Sequence, residues 1–139
     1  YVPTVIAGRS VADSSKIPNY YPEMVAKKAA AIGPIIQGTF GKAYKAGVKI
    51  AFGTDAGVFG HGKNGYEFIL MNEAGMPVLE AIKSATVNAA DLLGQSDLIG
   101  SIEVGKAADI IAVPGDPVAD VKLMTKVNFV MKDGKVYKN

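Results

Sequence analysis

Two short apolar runs constrain this chain more than any other feature. Y-V-P-T-V-I-A at Tyr1–Ala7 and V-K-I-A-F-G at Val48–Gly53 are mostly apolar without regular alternation, the pattern of strands buried on both faces. Around them the apolar spacing changes to three and four. Met24, Val25, Ala29 and Ile32 follow Pro22, and Gly33-Pro34 is expected to break that helix. Ile35, Ile36, Phe40, Ala43 and Tyr44 form a second helical stretch, with Gly47 just beyond its end. Gly8–Asn19 is polar and mixed and reads as a loop. Strand, helix, strand, helix is the order that parallel strands with right-handed crossovers satisfy by default.

Beyond the second run, Asn64 precedes Glu67 by three residues, an Asn form of the capping box, ahead of a helix carrying Phe68, Leu70 and Met71. Pro77 opens a further helix whose apolar stripe is Leu79, Ile82, Ala85, Ala89 and Leu93, closed by Gly94. The pattern changes near Gln95. Leu98–Glu103 and Asp109–Val113 read as strands, and Val127–Lys132 and Lys135–Lys138 flank Asp133-Gly134, a strong two-residue hairpin signal. The expected organisation is an α/β segment over 1–94 and a β-rich segment over 95–139.

Composition removes several function classes. With 139 residues the chain has room for one ordinary core. Fifteen basic against 13 acidic residues give a net charge of +2, with no electrostatic footprint for nucleic acid or an anionic membrane. Arg9 is the sole arginine, so bidentate phosphate or base recognition is poorly supplied. There is no cysteine, which excludes disulfides, thiolate-bound zinc and thiol catalysis. No apolar run approaches the ~18 residues of a membrane span. Tyr1 opens an apolar stretch with no basic leader, which reads as a chain beginning inside something larger. Nothing here points to a compartment.

The residue that carries chemistry is Asp55, in A-F-G-T-D-A-G. An apolar strand ending in an Asp between small residues sets a carboxylate at the mouth of a parallel sheet, where ligands bind. There it ligates a cation or accepts a proton from activated water; alternatively it caps the next helix or fixes the loop. His61, six residues on, is a candidate ligand, proton shuttle or substrate contact, or else a loop histidine bonded to backbone or water. Arg9 is a candidate bidentate contact to a substrate carboxylate, or a solvated loop residue. As His61 is the only histidine, this chain alone cannot complete a histidine-rich metal site. Gly53–Gly65 matches neither phosphate-loop pattern, and no serine lies in G-x-S-x-G.

Three ordered motifs carry a resemblance. F-G-T-D-A-G-V-x-x-H-G-x-N-x-x-E, E-A-G-M-P-x-x-E-A-I-x-x-A-T-x-N-A-A-x-L-L-G and I-G-S-I-E-V-G-K-A-A-D-I-I-A-V-x-G-D-P span most of the chain. Together they resemble the C-terminal part of the amidohydrolase superfamily, in the imidazolonepropionase-like branch that includes Xaa-Pro dipeptidases and metal-dependent carboxypeptidases. The resemblance implies the last two βα units of a (β/α)8 barrel followed by strands of a small β-sandwich. Tyr1–Ala7 would be the seventh barrel strand and Val48–Gly53 the eighth. Asp55 would bind one metal of a one- or two-ion centre, zinc by preference, and manage the proton of the hydrolytic step.

The same resemblance implies an H-x-H, a Lys and further His ligands that have no counterpart in this chain. A whole barrel takes ~250 residues. The expected reading is therefore the C-terminal portion of a metal-dependent hydrolase acting on peptides or N-acyl amino acids, inactive alone and completed by another chain or a second copy. Cyclic-amide hydrolysis of the imidazolonepropionase type is the alternative chemistry. A non-catalytic module, pairing through two open sheet edges, is the alternative role.

Overall fold

The computed structural model describes residues 1–139. The first apolar run is extended only at its start. The backbone turns at Thr4, which has φ 45° and ψ 47°, and helix α1 spans Val5–Ser14. The strand expected over Tyr1–Ala7 thus shrinks to the residues before Thr4, and the loop expected over Gly8–Asn19 is helical as far as Ser14. A short apolar run does not distinguish strand from buried helix. Packing decides: Gly33 of α2 lies against Gly8 and Ala12 of α1, all three buried.

Helix α2 spans Glu23–Lys45 without a break, although Pro34 lies inside it. An interior proline removes a ladder hydrogen bond at a cost of ~3 kcal/mol, which is the local penalty against one continuous helix. The close α1–α2 seam opposes the break. A Cβ on Gly33 would stand 2.9 Å from the Ala12 Cβ and 3.2 Å from the Gly8 carbonyl.

Three short helices follow: α3 (Tyr66–Glu73), α4 (Val78–Ala85) and α5 (Val87–Leu92). The single helix expected after Pro77 is broken at Thr86, with φ −123° and ψ −95°. Its buried face is Val78, Ala81, Ser84 and Ala90; of the expected stripe Ile82 and Ala85 pack partly buried against the core, while Leu79 is 50% and Leu93 64% exposed.

That face is chosen by the second apolar run. The α-amino group of Tyr1 donates to the Lys49 carbonyl at 2.8 Å, and Ala51 N donates to the Tyr1 carbonyl at 3.1 Å. This is parallel pairing. On the opposite edge, Phe52 N donates to the Ser84 carbonyl at 2.9 Å and Asn88 Nδ2 to the Ile50 carbonyl at 3.0 Å. The outer edge expected to be open is therefore closed at Ile50 and Phe52 by the α4–α5 corner.

The tail forms a three-stranded antiparallel sheet, ordered β1 (Ile110–Ala112), β2 (Phe129–Lys132) and β3 (Lys135–Lys138). Asp133 (φ 49°) and Gly134 (φ 76°) make the β2–β3 turn, the positive-φ pair a tight hairpin requires. Leu98–Glu103 is not a strand. It is an irregular loop with Gly100 at φ 95°, closed by Ala107 N donating to the Leu98 carbonyl at 2.9 Å. One apolar cluster joins Val5, Phe40, Ile50 and Met71 to Met124 of the tail. No helix is long and apolar enough to cross a membrane.

Candidate active site at the extended tips

The two neighbouring extended segments end in parallel ways. Each turns through a non-glycine residue in the left-handed region, Thr4 at φ 45° and Asp55 at φ 51°. Such backbone costs of order 1–3 kcal/mol unless its surroundings hold it, and for a β-branched threonine it is a genuine outlier. At both tips the surroundings come from α3 and the turn before it, through Glu67 and Asn64.

Asp55 is exposed, and no protein hydrogen bond or ion pair engages its carboxylate. The helix-capping alternative for Asp55 is therefore not what the chain forms. Its neighbour Thr54 is half-buried and accepts a hydrogen bond at Oγ1 from Asn64 Nδ2 at 2.8 Å. His61 is exposed on the same loop, between Gly57 (φ 134°) and Gly65.

Arg9 lies apart from this loop in sequence and in bonding. It sits on α1, not in a loop, and its Nε donates to Asp13 Oδ2 at 3.2 Å. The Lys16 ammonium, and after it the Arg9 guanidinium, hold the Asp13 carboxyl below its ordinary range. Arg9 lines an open cleft of about 650 Å³ with Asp13, Lys63, Tyr66, Glu73 and Lys122. Neither Asp55 nor His61 reaches that cleft.

Glu67 and Asn64 do more than the capping box expected of them. The α3 N-terminus carries no side-chain cap. Glu67 instead crosses to α1, accepting from Val5 N at Oε1 (2.9 Å) and from Ile6 N at Oε2 (2.6 Å). These are two amides of the first turn of α1 that lack intrahelical partners, and a carboxylate suits the positive end of the helix dipole. Glu67 is wholly buried. Burial pushes its pKa up, against the pull of the Ile6 and Val5 amides. One sequence signal for this role exists: Glu67 is the lone acid beside the apolar run F-I-L-M.

A metal is held by its donor set. Asp55 supplies one unencumbered carboxylate, which fits a cation ligand. No three His, Asp or Glu side chains come together as a metal-holding group, and a catalytic zinc ordinarily takes three protein ligands. The residues present fit part of a metal centre.

The amidohydrolase family model matches residues 15–137. The chain belongs to the amidohydrolase family. Over its full length it superposes on a Xaa-Pro dipeptidase solved with methionine bound in the active site, with 55% identity and a TM-score of 0.94, covering 34% of that protein. Ochratoxinase of Aspergillus niger is 41% identical over 100 residues, 69% of this chain and 21% of that protein. Imidazolonepropionase of Fusobacterium nucleatum is 35% identical over 101 residues, 68% of this chain and 24% of that protein. The chain thus spans only a fifth to a quarter of these two relatives' length.

Proposed function

We propose that this chain is the C-terminal part of a metal-dependent amidohydrolase that cleaves amide bonds in small peptides, of dipeptidase or carboxypeptidase type. The observation that carries the reading is the 55% identity to a Xaa-Pro dipeptidase across the whole chain, motif loop included. In this reading the two parallel extended segments belong to the last two βα units of a (β/α)8 barrel. Residues 1–94 then form the barrel part, and 95–139 contribute strands to a small β-sandwich.

Asp55 holds a divalent cation, zinc for preference, in a one- or two-ion centre together with ligands from outside residues 1–139. When bound, such a cation acidifies water and polarises a carbonyl. Asp55 is free to take the proton released by the attacking water on one carboxylate oxygen and return it to the leaving amine, a transfer worth ~10²–10⁴ in rate. Its exposure and lack of protein partners support that role. His61, on the same loop, is the proposed substrate contact. Arg9 is a second, for a substrate carboxylate, once its ion pair with Asp13 opens. The remaining ligands come from a completing chain or a homo-oligomeric arrangement, and without them the chain alone is inactive.

Cyclic-amide hydrolysis is the second reading, favoured by the 35% identity to an imidazolonepropionase. Assaying the completed, metal-loaded enzyme on Xaa-Pro dipeptides and on a cyclic imidazolone separates the two. Asp55→Asn is expected to lower kcat by at least ~10² on the preferred substrate. Unchanged turnover in that variant removes Asp55 from the mechanism.

A further inference from the structure

We infer that Asn64 and Glu67 are positioning residues, a bracket by which α3 and the turn before it fix the Asp55 tip relative to the Thr4 tip. The inference deepens the hydrolase reading and rests on it for its catalytic consequence. Its structural content rests on hydrogen bonds alone.

Asn64 reaches one tip, donating to Thr54 Oγ1 at 2.8 Å, next to Asp55. Glu67 reaches the other, gripping Val5 N and Ile6 N at 2.9 and 2.6 Å, next to Thr4. Asn64 and Glu67 are three residues apart, so a single rigid turn sets the spacing between the two grips. The bracket is itself anchored. Gly65 lies so close to the Met124 carbonyl that a Cβ there would collide with it. Phe68, one residue past Glu67, stacks on Phe52 at 4.4 Å between ring centroids. Gly53 meets Val2 with no room for a Cβ, so the two segments are in direct contact just before their tips.

Both tips carry strained backbone, which relaxes unless opposed. Without Asn64, nothing bonded to the Thr54 side chain opposes relaxation around Asp55. A shift of the carboxylate by even ~1 Å is enough to reduce turnover by up to ~10². Asn64 is not a catalytic residue in this account. It acts through Thr54.

The test uses the completed, metal-loaded enzyme, in which this chain is joined by the part that supplies the remaining ligands, with Asn64→Ala, Thr54→Val, the double variant and Glu67→Gln. Asn64→Ala and Thr54→Val are each expected to lower kcat about tenfold. KM and metal content should change less than ~2-fold, and the double variant should be no slower than either single. Independently of activity, hydrogen exchange is expected to speed up at Ala51 and Phe52, the bonded amides leading into the Asp55 tip, in Asn64→Ala, and at Val5 and Ile6 in Glu67→Gln, while the α2 amides stay protected. Independent, multiplying effects on kcat, or unchanged exchange at the tips, overturn the bracket. If Asp55→Asn leaves turnover intact while the exchange pattern appears as expected, the catalytic role of Asp55 fails and the bracket survives as a structural device. Should Glu67→Gln not fold, Asn64→Ala alone still decides the Asp55 side.

Discussion

Glu67→Gln is the most informative perturbation of stability, because the size of its effect depends on pH. The wild-type carboxylate accepts two backbone amides with two oxygens. Glutamine keeps the shape but turns one acceptor into a donor, leaving a buried N–H of α1 without a partner. An orphaned buried donor costs about 1–3 kcal/mol. Opposing this, burial raises the Glu67 pKa above its ordinary value of 4.5, so the ionised carboxylate is itself disfavoured inside the fold. Between the unfolded and folded pKa values the native state holds one more proton than the unfolded chain. Wild-type stability therefore falls as pH rises through that window, which opens near 4.5 and extends upward. The glutamine variant has no such slope.

The gap between the two proteins is thus greatest below pH 4.5 and narrows toward neutrality. Urea denaturation at several pH values reads it directly. A gap of about 1–3 kcal/mol with m near 2 kcal/mol/M corresponds to a midpoint difference of roughly 0.5–1.5 M. A gap that widens with rising pH would refute the reasoning. It would mean that the two amides and the helix terminus outweigh burial and that the carboxylate is favoured as the anion.

Two further outcomes follow from the packing and the tail. Phe40 is 0% exposed in the shared cluster, so Phe40→Ala is expected to cost about 3–5 kcal/mol in chemical denaturation. Asp109 accepts Asp133 N at 2.8 Å and pairs with Lys132 Nζ at 2.8 Å. These partners, Asp133 first, hold its carboxyl below the ordinary 3.8. Its contribution is therefore present above pH 3.8 and lost below it. Lower amide protection in the β2–β3 hairpin, measured against the intrinsic exchange rate at each pH, is expected below that pH, and in Asp109→Ala at neutral pH.

What the sequence exposes is what is decided locally. Asp133-Gly134 specifies its turn because two positive φ values are tolerated by few residue pairs, and the hairpin forms there. Asp55 is visible for a related reason: a short apolar run ending in T-D-A-G marks the end of the extended segment, and the carboxylate there is exposed. Gly33-Pro34 misleads because its local penalty is real but smaller than the benefit of a continuous α1–α2 seam. Tyr1–Ala7 misleads because V-I-A is equally apolar in a strand and in a helix, and only the small residues of α2 select between them. The stripe after Pro77 misleads at its two leucines, Leu79 and Leu93, because burial there is set by close approach to Ile50–Phe52, which small side chains allow and leucines do not.

Asn64 and Glu67 show why spacing alone was insufficient at the site. An N-x-x-E pair satisfies a local capping box as well as it satisfies two distant tips. The local reading needs no tertiary contact, so sequence reasoning reaches it first. The structure takes the other option because the α3 amides have cheaper partners. Tyr66 N bonds the Lys63 carbonyl at 3.0 Å and Glu67 N the Asn64 carbonyl at 3.1 Å within the turn itself. By contrast, Val5 N and Ile6 N follow a left-handed Thr4 and find no acceptor within their own helix. A buried carboxylate 62 and 61 residues away supplies both. The strain at the tip thus creates the demand that recruits Glu67 away from its own helix, and for that reason the side chain that looks most like a cap is the one joining separate parts of the fold.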